Sequence, residues 1–134
     1  MYNGYTMIIG AQEARQAIVD KYSQPERPFA AKDVVLSFGC SGALYNVFSA
    51  LCEIGDNILV PRPGWPGWHA IVQHLGVNLK FYDLNPEKNW QADLDGMRAQ
   101  IDGKTRAILV NNPSNPCGAC LPRDHLLEII DIAH

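Results

Sequence analysis

The sequence predicts an α/β fold, because apolar strands and amphipathic helices alternate along its 134 residues. Short apolar runs such as residues 57–60 and 107–110 are typical of buried strands, and segments with apolar residues at helical spacing separate them. Loops rich in Gly, Pro and Asn follow these strands, at the carboxyl edge where open α/β sheets bind their ligands. No repeat, low-complexity segment or long linker divides the chain, so we predict a single domain over residues 1–134.

The composition is that of a globular protein, with 47% apolar and 19% charged residues. A formal net charge of -3 and a pI near 5.7 give no electrostatic reason to expect a nucleic acid partner. No apolar segment approaches the roughly 18–20 residues of a membrane span, and the N-terminus lacks the layout of a signal peptide. We therefore expect neither nucleic acid nor a membrane as a partner.

The chain has four cysteines: Cys40, Cys52, Cys117 and Cys120. They are too few and too unevenly spaced for a disulfide framework, which favours a cytoplasmic protein and leaves the mitochondrion open. Cys117 and Cys120 have the C-x-x-C spacing of redox motifs, and this alternative predicts that Cys120→Ser abolishes function. Zinc would need two further ligands, and His69 and His74 do not share a helix face, so we expect no metal.

The amino-terminal part is predicted to contain an irregular, glycine-bounded lead over residues 1–10 and a helix over about 11–22. The apolar residues that predict this helix share one stripe: Ala14, Ala17, Ile18 and Tyr22. The β-branched run 33–38 predicts a strand. A second helix is predicted to end near Gly55, a natural C-terminal stop. Its apolar residues at helical spacing are Leu44, Val47, Phe48, Leu51 and Cys52.

The turn of residues 39–42 (Gly-Cys-Ser-Gly) joins the predicted strand to the second helix and is a candidate anion site. Backbone N–H groups point outward at a helix start, and the helix dipole favours an anion there. Glycine lets a phosphate approach the backbone closely, and Ser41 can add a hydroxyl donor. The alternative is that Ser41 only caps the helix, and the residues alone leave both interpretations open.

The loop of residues 61–68 follows the next predicted strand and holds Trp65 and Trp68 among prolines and glycines. A helix over about 68–75 comes next, and Gly76 ends it. Large aromatic side chains in such a loop form either a stacking platform for a flat ligand or a plug over the core. Both interpretations stay open from these residues alone.

Residues 77–82 alternate between the two faces of a predicted half-buried strand, with Tyr82 on the polar face. Residues 85–91 are predicted to form a loop. A short helix is then predicted between Asp93, a candidate N-cap, and Gly103.

The strand predicted over residues 104–110 leads into the loop 111–118, with the sequence Asn-Asn-Pro-Ser-Asn-Pro-Cys-Gly. Its prolines stiffen the backbone, so its three amide side chains suit a flat polar ligand that needs donors and acceptors. A simple Pro/Asn turn is the alternative. A last helix is predicted to open at Pro122. Its apolar residues are Leu126, Leu127, Ile130 and Ala133.

The eight-residue string at 111–118 closely resembles a segment of the tyrosine aminotransferases, which belong to the fold type I family of pyridoxal-phosphate enzymes. The G-Y-x-x-x-x-G pattern from Gly4 and the P-x-P-G-W pattern from Pro61 resemble further segments of that family, in its order. The resemblance spans essentially the whole chain. It implies that residues 1–134 are an internal fragment, the N-terminal half of the large cofactor-binding domain, which is a three-layer α/β/α structure with a mainly parallel sheet.

The reaction implied by the resemblance is transamination of an aromatic amino acid, tyrosine, with 2-oxoglutarate in the full-length protein, with pyridoxal 5'-phosphate as cofactor. The resemblance also implies a homodimer. Gly39, Cys40 and Ser41 match the family's phosphate-binding turn. Tyr5 matches a tyrosine that reaches the cofactor phosphate in the partner subunit.

Four further positions receive roles from the same resemblance. Trp65 matches the aromatic residue that stacks on the pyridine ring, and Asn115 matches the amide that hydrogen-bonds the cofactor's phenolic oxygen. Trp68 is expected to line the substrate pocket. Arg62 is expected to be structural, because the family's substrate-carboxylate arginine lies near the C-terminal end of the enzyme.

The family's Schiff-base lysine and the acid that pairs with the pyridinium nitrogen match no segment of residues 1–134. We therefore assign no catalytic residue within the chain and expect the 134-residue chain alone to be inactive. Two alternatives share the cofactor: a pyridoxal-phosphate-dependent lyase of the same fold, and a truncated remnant that binds cofactor or a partner without turnover.

Overall fold

Residues 4–134 are described by a computed structural model, and the chain divides into two units, Met1–Leu44 and Tyr45–His134. Residues 1–3 of the predicted lead lie outside the described residues, and residues 4–10 contain neither helix nor strand. The first unit contains one complete helix and one 3-10 turn, whereas the second contains the whole sheet. The prediction of a single domain stays a prediction.

Helix α1 (Gln12–Tyr22) of the first unit lies where the sequence predicts it, but the side chain that it buries is charged. Arg15 is 2% exposed, and its guanidinium donates hydrogen bonds to the carbonyl oxygens of Gly10 (3.2 Å) and Ala31 (2.6 Å). The predicted apolar stripe is largely exposed, and Tyr22 is 59% exposed. Because a buried charge is costly without partners, these hydrogen bonds are what allow Arg15 to occupy the centre of the unit.

The predicted strand over residues 33–38 is wrong. Residues Ala31–Asp33 form a 3-10 turn, and residues 34–37 belong to neither a helix nor a strand. The Leu36 N–H donates to the Ile9 carbonyl at 3.0 Å, and Val35 is 58% exposed. A β-branched run becomes a strand only where another strand pairs with it, and none does so among residues 4–134.

The sheet of the second unit contains four strands: β1 (Asn57–Arg62), β2 (Asn78–Asn85), β3 (Gln91–Ala92) and β4 (Thr105–Ile108). Their order is β3-β2-β1-β4, with β1 parallel to both neighbours and β3 antiparallel to β2. Ile58, Leu59 and Val60 are 0% exposed, as expected of a central strand covered on both faces. The mainly parallel sheet is thus confirmed. Strand β3 was not predicted, because two residues carry no periodic pattern.

The remaining helices are α2 (Gly39–Leu51), α3 (Gly67–Gln73), α4 (Leu94–Gln100) and α5 (Arg123–Ala133). All four were predicted, with ends that differ by a few residues. The largest difference is at the start of α2, which takes in Gly39 as its first residue. The candidate phosphate turn is therefore the first turn of a helix, where backbone N–H groups have no partner within the helix.

Strand β2 buries Tyr82 and Leu84, on the face predicted to be polar, whereas Phe81 on the predicted apolar face is half-buried. Tyr82, predicted on the polar face, is 2% exposed, and its hydroxyl donates to the Leu109 carbonyl at 2.9 Å. Burial raises the pKa of Tyr82, which keeps this hydroxyl protonated as a donor. The prediction failed at Tyr82 because its ring belongs to the core with Leu59 and Met97, and its hydroxyl finds a carbonyl partner that the sequence does not show.

The buried face of α5 also differs from the predicted stripe. The helix buries His125 and Ile129, whereas Leu127 is 42% and Ile130 48% exposed. His125 Nε2 accepts a hydrogen bond from the N–H of Ala92, in β3, at 3.1 Å. A buried backbone N–H needs an acceptor, and His125 supplies it for Ala92. A polar side chain therefore occupies a position on the buried face of α5 that the sequence pattern predicted to be outside the apolar stripe.

Asp102 links the amino-terminal ends of three strands. Its carboxylate accepts hydrogen bonds from Lys80 Nζ (2.8 Å), Asn57 Nδ2 (2.9 Å) and the Lys104 N–H (2.9 Å). These donors, Lys80 first, hold the pKa of Asp102 well below its usual value.

Acid is therefore expected to destabilise the protein through Asp102. Its folded pKa lies below the unfolded value of about 3.9, so its contribution is complete above that pH and is lost as the pH falls toward the folded pKa. The thermal unfolding midpoint of the full-length protein should decrease as the pH is lowered below about 4. This decrease should be smaller in Asp102→Asn than in wild type. An unchanged pH dependence in the variant would contradict this assignment.

Candidate functional site

Two loops leave the sheet side by side, because β1 and β4 are parallel neighbours. Their pairing continues beyond β4, where the Leu109 N–H donates to the Leu59 carbonyl at 2.8 Å. The loop after β1 carries Trp65, and the loop after β4 carries Asn115. The sheet therefore places both residues at its carboxyl edge, where α/β proteins bind ligands.

The three asparagines of the loop after β4 differ in their hydrogen bonds. Asn111 accepts a hydrogen bond from the Asn115 N–H (3.0 Å) and donates to the Pro113 carbonyl (3.1 Å). Asn112 accepts from the Leu121 N–H at 2.9 Å. The two side chains thus replace backbone partners that a loop lacks, as Asn commonly does in turns. These hydrogen bonds, all between residues of the loop that joins β4 to α5, stabilise its conformation.

Asn115 is the amide left over for a ligand. Its side chain is exposed and forms no hydrogen bond with any part of the chain that the structure describes. Beside it, the Ser114 Oγ is buried without a partner among the described residues, although the Ser114 N–H donates to the Ala119 carbonyl (2.9 Å). Residue chemistry alone did not distinguish the three amides, whereas the family resemblance singled out Asn115, and the hydrogen bonds show that this is the amide with no partner among the described residues.

The aromatic half of the site is a pair of tryptophans. The rings of Trp65 and Trp68 lie edge to face, with centroids 5.0 Å apart and planes at 88°. Trp65 is half-buried, whereas Trp68 is 6% exposed at the start of α3. A side chain at Gly67 would overlap the six-membered ring of Trp65. Sequence reasoning missed this role of Gly67, because the sequence does not show which side chain lies against its Cα.

Arg62 forms a bidentate ion pair with Asp83 across β1 and β2. Its Nε and Nη2 donate to the two carboxylate oxygens at 2.6 and 2.9 Å, and the side chains are 62% and 57% exposed. The arginine holds the pKa of Asp83 below its usual value. The pair agrees with the structural role expected of Arg62, since two N–H groups of its guanidinium already donate to the carboxylate of Asp83.

Replacement of Arg62 is consequently expected to leave ligand binding at this edge of the sheet intact. Arg62→Gln in the full-length protein should bind a ligand of these loops with wild-type affinity, and Asp83→Asn, which breaks the same pair, serves as the matched variant. Exposed pairs stabilise little, so stability should change little in either variant. A large loss of affinity confined to Arg62→Gln would instead identify Arg62 as a ligand-binding residue.

The candidate phosphate residues belong to the first unit. Gly39 has a φ of +65°, which favours glycine, and its N–H donates to the Ser37 carbonyl at 2.9 Å. A Cβ at this position would meet no atom within 4 Å, and Cys40 and Ser41 are exposed. Tyr5 is also fully exposed. An anion therefore meets no steric obstacle at the first turn of α2 in this unit.

Among residues 4–134, no cluster of three or more His, Cys, Asp or Glu side chains is arranged to hold a metal ion, and the four cysteines are free thiols. No described helix combines the length and apolar character needed to span a bilayer. A cavity of about 520 Å³ lies beside β3 and α4, and neither Trp65 nor Asn115 lines it.

Comparison with known proteins gives the family. Residues 1–134 match the class I and II aminotransferases. The chain is 44% identical to tyrosine aminotransferase of Bos taurus, covering 98% of this chain and 30% of that protein. It is 38% identical to S-alkyl-thiohydroximate lyase of Arabidopsis thaliana, covering 98% of this chain and 29% of that protein. The crystal structure of tyrosine aminotransferase from Leishmania infantum superposes with a TM-score of 0.92 at 34% identity, covering 98% of this chain and 34% of that chain.

These similarities fix the fold and the family together. The chain spans about 30% of the length of the curated relatives it matches, so it corresponds to part of their structure. The predicted partial α/β domain of the fold type I aminotransferases is confirmed. The chain belongs to the class I and II aminotransferases.

Proposed function

We propose that the full-length protein is a pyridoxal-phosphate-dependent transaminase that moves an amino group from an aromatic amino acid, tyrosine, to 2-oxoglutarate. The observation that carries the proposal is that the loops holding Trp65 and Asn115 follow neighbouring parallel strands, at the carboxyl edge of the sheet. One residue offers a ring face and the other an unused amide, which together suit a flat, polar aromatic ligand.

The residues present fit this cofactor. Asn115 has a free donor for an anionic oxygen, Trp65 is half-exposed for stacking, and the open first turn of α2 suits a phosphate at Gly39, Cys40 and Ser41. When bound, pyridoxal phosphate supplies the electron sink for reaction at the Cα of an amino acid. The part of this chain is to bind and orient: the stacking ring fixes the plane of the ligand, and the amide fixes its rotation within that plane.

Two further proposals concern assembly and location. The full exposure of Tyr5 supports a homodimer in which this side chain contacts the partner subunit. The four free thiols support a cytoplasmic location.

The test is an assay of the full-length gene product with tyrosine and 2-oxoglutarate, in which glutamate and the matching aromatic 2-oxo acid are measured. Both products should form in equal amounts and depend on added cofactor. Alanine and aspartate as donors establish the preference. A purified product that binds the cofactor yet transfers no amino group from any donor would contradict the proposed reaction.

A lyase of the same fold is the second candidate, and the 38% identity to a plant lyase supports it. A lyase cleaves its substrate without an amino acceptor, so omitting the 2-oxo acid separates the two reactions. Turnover of a sulfur-containing substrate without acceptor would favour the lyase, whereas strict dependence on the acceptor would favour the transaminase.

A further inference from the structure

We propose that Gly67 and Trp68, at the start of α3, set the plane of the Trp65 ring and are positioning residues for it. The inference deepens the proposed function and rests on it, because the orientation matters only if Trp65 stacks on a flat ligand. Trp65 follows a strand end in a loop, and loop side chains need support to hold one orientation.

The first support is the bare Cα of Gly67. A Cβ built there would overlap Cη2 and Cζ2 of Trp65, so the six-membered ring lies directly against the backbone of α3. Any side chain at residue 67 must therefore displace the ring. Glycine is required here by the space that Trp65 occupies, since a positive φ is not found at this residue.

The second support is the ring of Trp68, perpendicular to that of Trp65 at a centroid distance of 5.0 Å. Edge-to-face pairs are the favoured arrangement of two aromatic rings. The Trp68 Nε1 is buried without a partner among residues 4–134, so the contact with Trp65 is one of ring against ring and involves no hydrogen bond of the indole N–H. Phenylalanine at position 68 keeps a ring there, whereas leucine removes it.

Trp68 is itself held firmly. Trp68, Ile71 and Val72 are 6%, 9% and 3% exposed and occupy positions i, i+3 and i+4 of α3, which is one face of a helix. The buried face of α3 thus holds Trp68 in place, and Trp68 in turn restricts the orientation of the half-buried Trp65 ring. Because the pair holds the Trp65 ring in one orientation before a ligand binds, its loss adds the cost of ordering that side chain and is expected to weaken a stacked ligand by about two- to tenfold.

The experiment compares single variants of the full-length protein: Trp65→Leu, Gly67→Ala, Trp68→Leu, Trp68→Phe and Trp90→Phe. Pyridoxal phosphate is titrated into each, and its dissociation constant and its circular dichroism in the cofactor's visible absorption band are recorded. The dichroism reports the orientation of the bound ring, which a general loss of stability does not change. Trp90 is the matched control, since it packs against the core of the sheet in another part of the unit.

We expect Gly67→Ala and Trp68→Leu to raise the dissociation constant and alter the dichroism, and Trp68→Phe and Trp90→Phe to resemble wild type. Wild-type behaviour of both Gly67→Ala and Trp68→Leu, with a strong effect of Trp65→Leu, would overturn the inference alone. Trp68→Phe behaving like Trp68→Leu would also overturn it. No effect of Trp65→Leu would instead refute the stacking role in the proposed function. If Trp68→Leu fails to fold, Gly67→Ala decides.

Discussion

Replacing Asn115 by alanine is expected to weaken pyridoxal phosphate binding by the full-length protein about 10- to 100-fold, the usual effect of losing a hydrogen bond to a charged oxygen. The physical reason is that the amide is exposed, unused within the described chain, and carried by a loop that Asn111 and Asn112 fix independently. Its removal should therefore leave the loop intact while the ligand loses a donor.

Two controls separate binding from folding in this experiment. Asn78→Ala removes an exposed amide at the opposite edge of the sheet, whose two hydrogen bonds are long (3.4 Å), and should retain wild-type affinity. Asn112→Ala removes the partner of the Leu121 N–H and should lower the thermal midpoint as well as the affinity. Wild-type cofactor affinity in Asn115→Ala, or a drop equal to that of Asn78→Ala, would refute the role given to Asn115.

Replacing Leu59 by alanine is expected to lower the free energy of unfolding by about 2–5 kcal/mol, as for other fully buried leucines. Leu59 is 0% exposed in the central strand and belongs to the core with Tyr82, Met97 and Ile129. No neighbour can fill the space without moving the sheet, because β1 is paired on both sides.

Denaturant unfolding of the full-length protein measures this loss. Leu127→Ala is the matched control, because it makes the same change at a side chain that is 42% exposed on α5. The free energy of unfolding should decrease much less in Leu127→Ala than in Leu59→Ala. Equal losses in the two variants would show that the core of this segment is not where the structure places it.

The sequence predicted those features that depend on local chemistry. The apolar run of β1 and the Pro/Gly/Asn loops at strand ends led to the correct α/β fold, because strands, turns and helix ends have their own residue preferences. The loop of Asn115 and that of Trp65 could be placed at one edge, since parallel neighbours share their carboxyl ends.

Features that depend on distant partners could not be predicted. The run 33–38 has strand propensity but finds no strand to pair with among the described residues. Arg15 is buried because carbonyl groups from 5 and 16 residues away surround it, and His125 because Ala92 needs an acceptor. Asn111 and Asn112 likewise accept hydrogen bonds from backbone N–H groups of the folded loop, and the sequence does not show which N–H groups need them.

The most direct test of the central claim is the stoichiometry and affinity of pyridoxal phosphate binding to the full-length gene product, compared with the double variant Ser41→Ala/Asn115→Ala. We expect one bound cofactor per polypeptide chain in wild type. We expect a larger loss of affinity in the double variant than in Asn115→Ala, because the proposed contacts to the phosphate and to the ring oxygen are removed together. Absence of cofactor binding by the wild-type protein, or equal binding by wild type and double variant, would contradict the claim that these loops hold the cofactor.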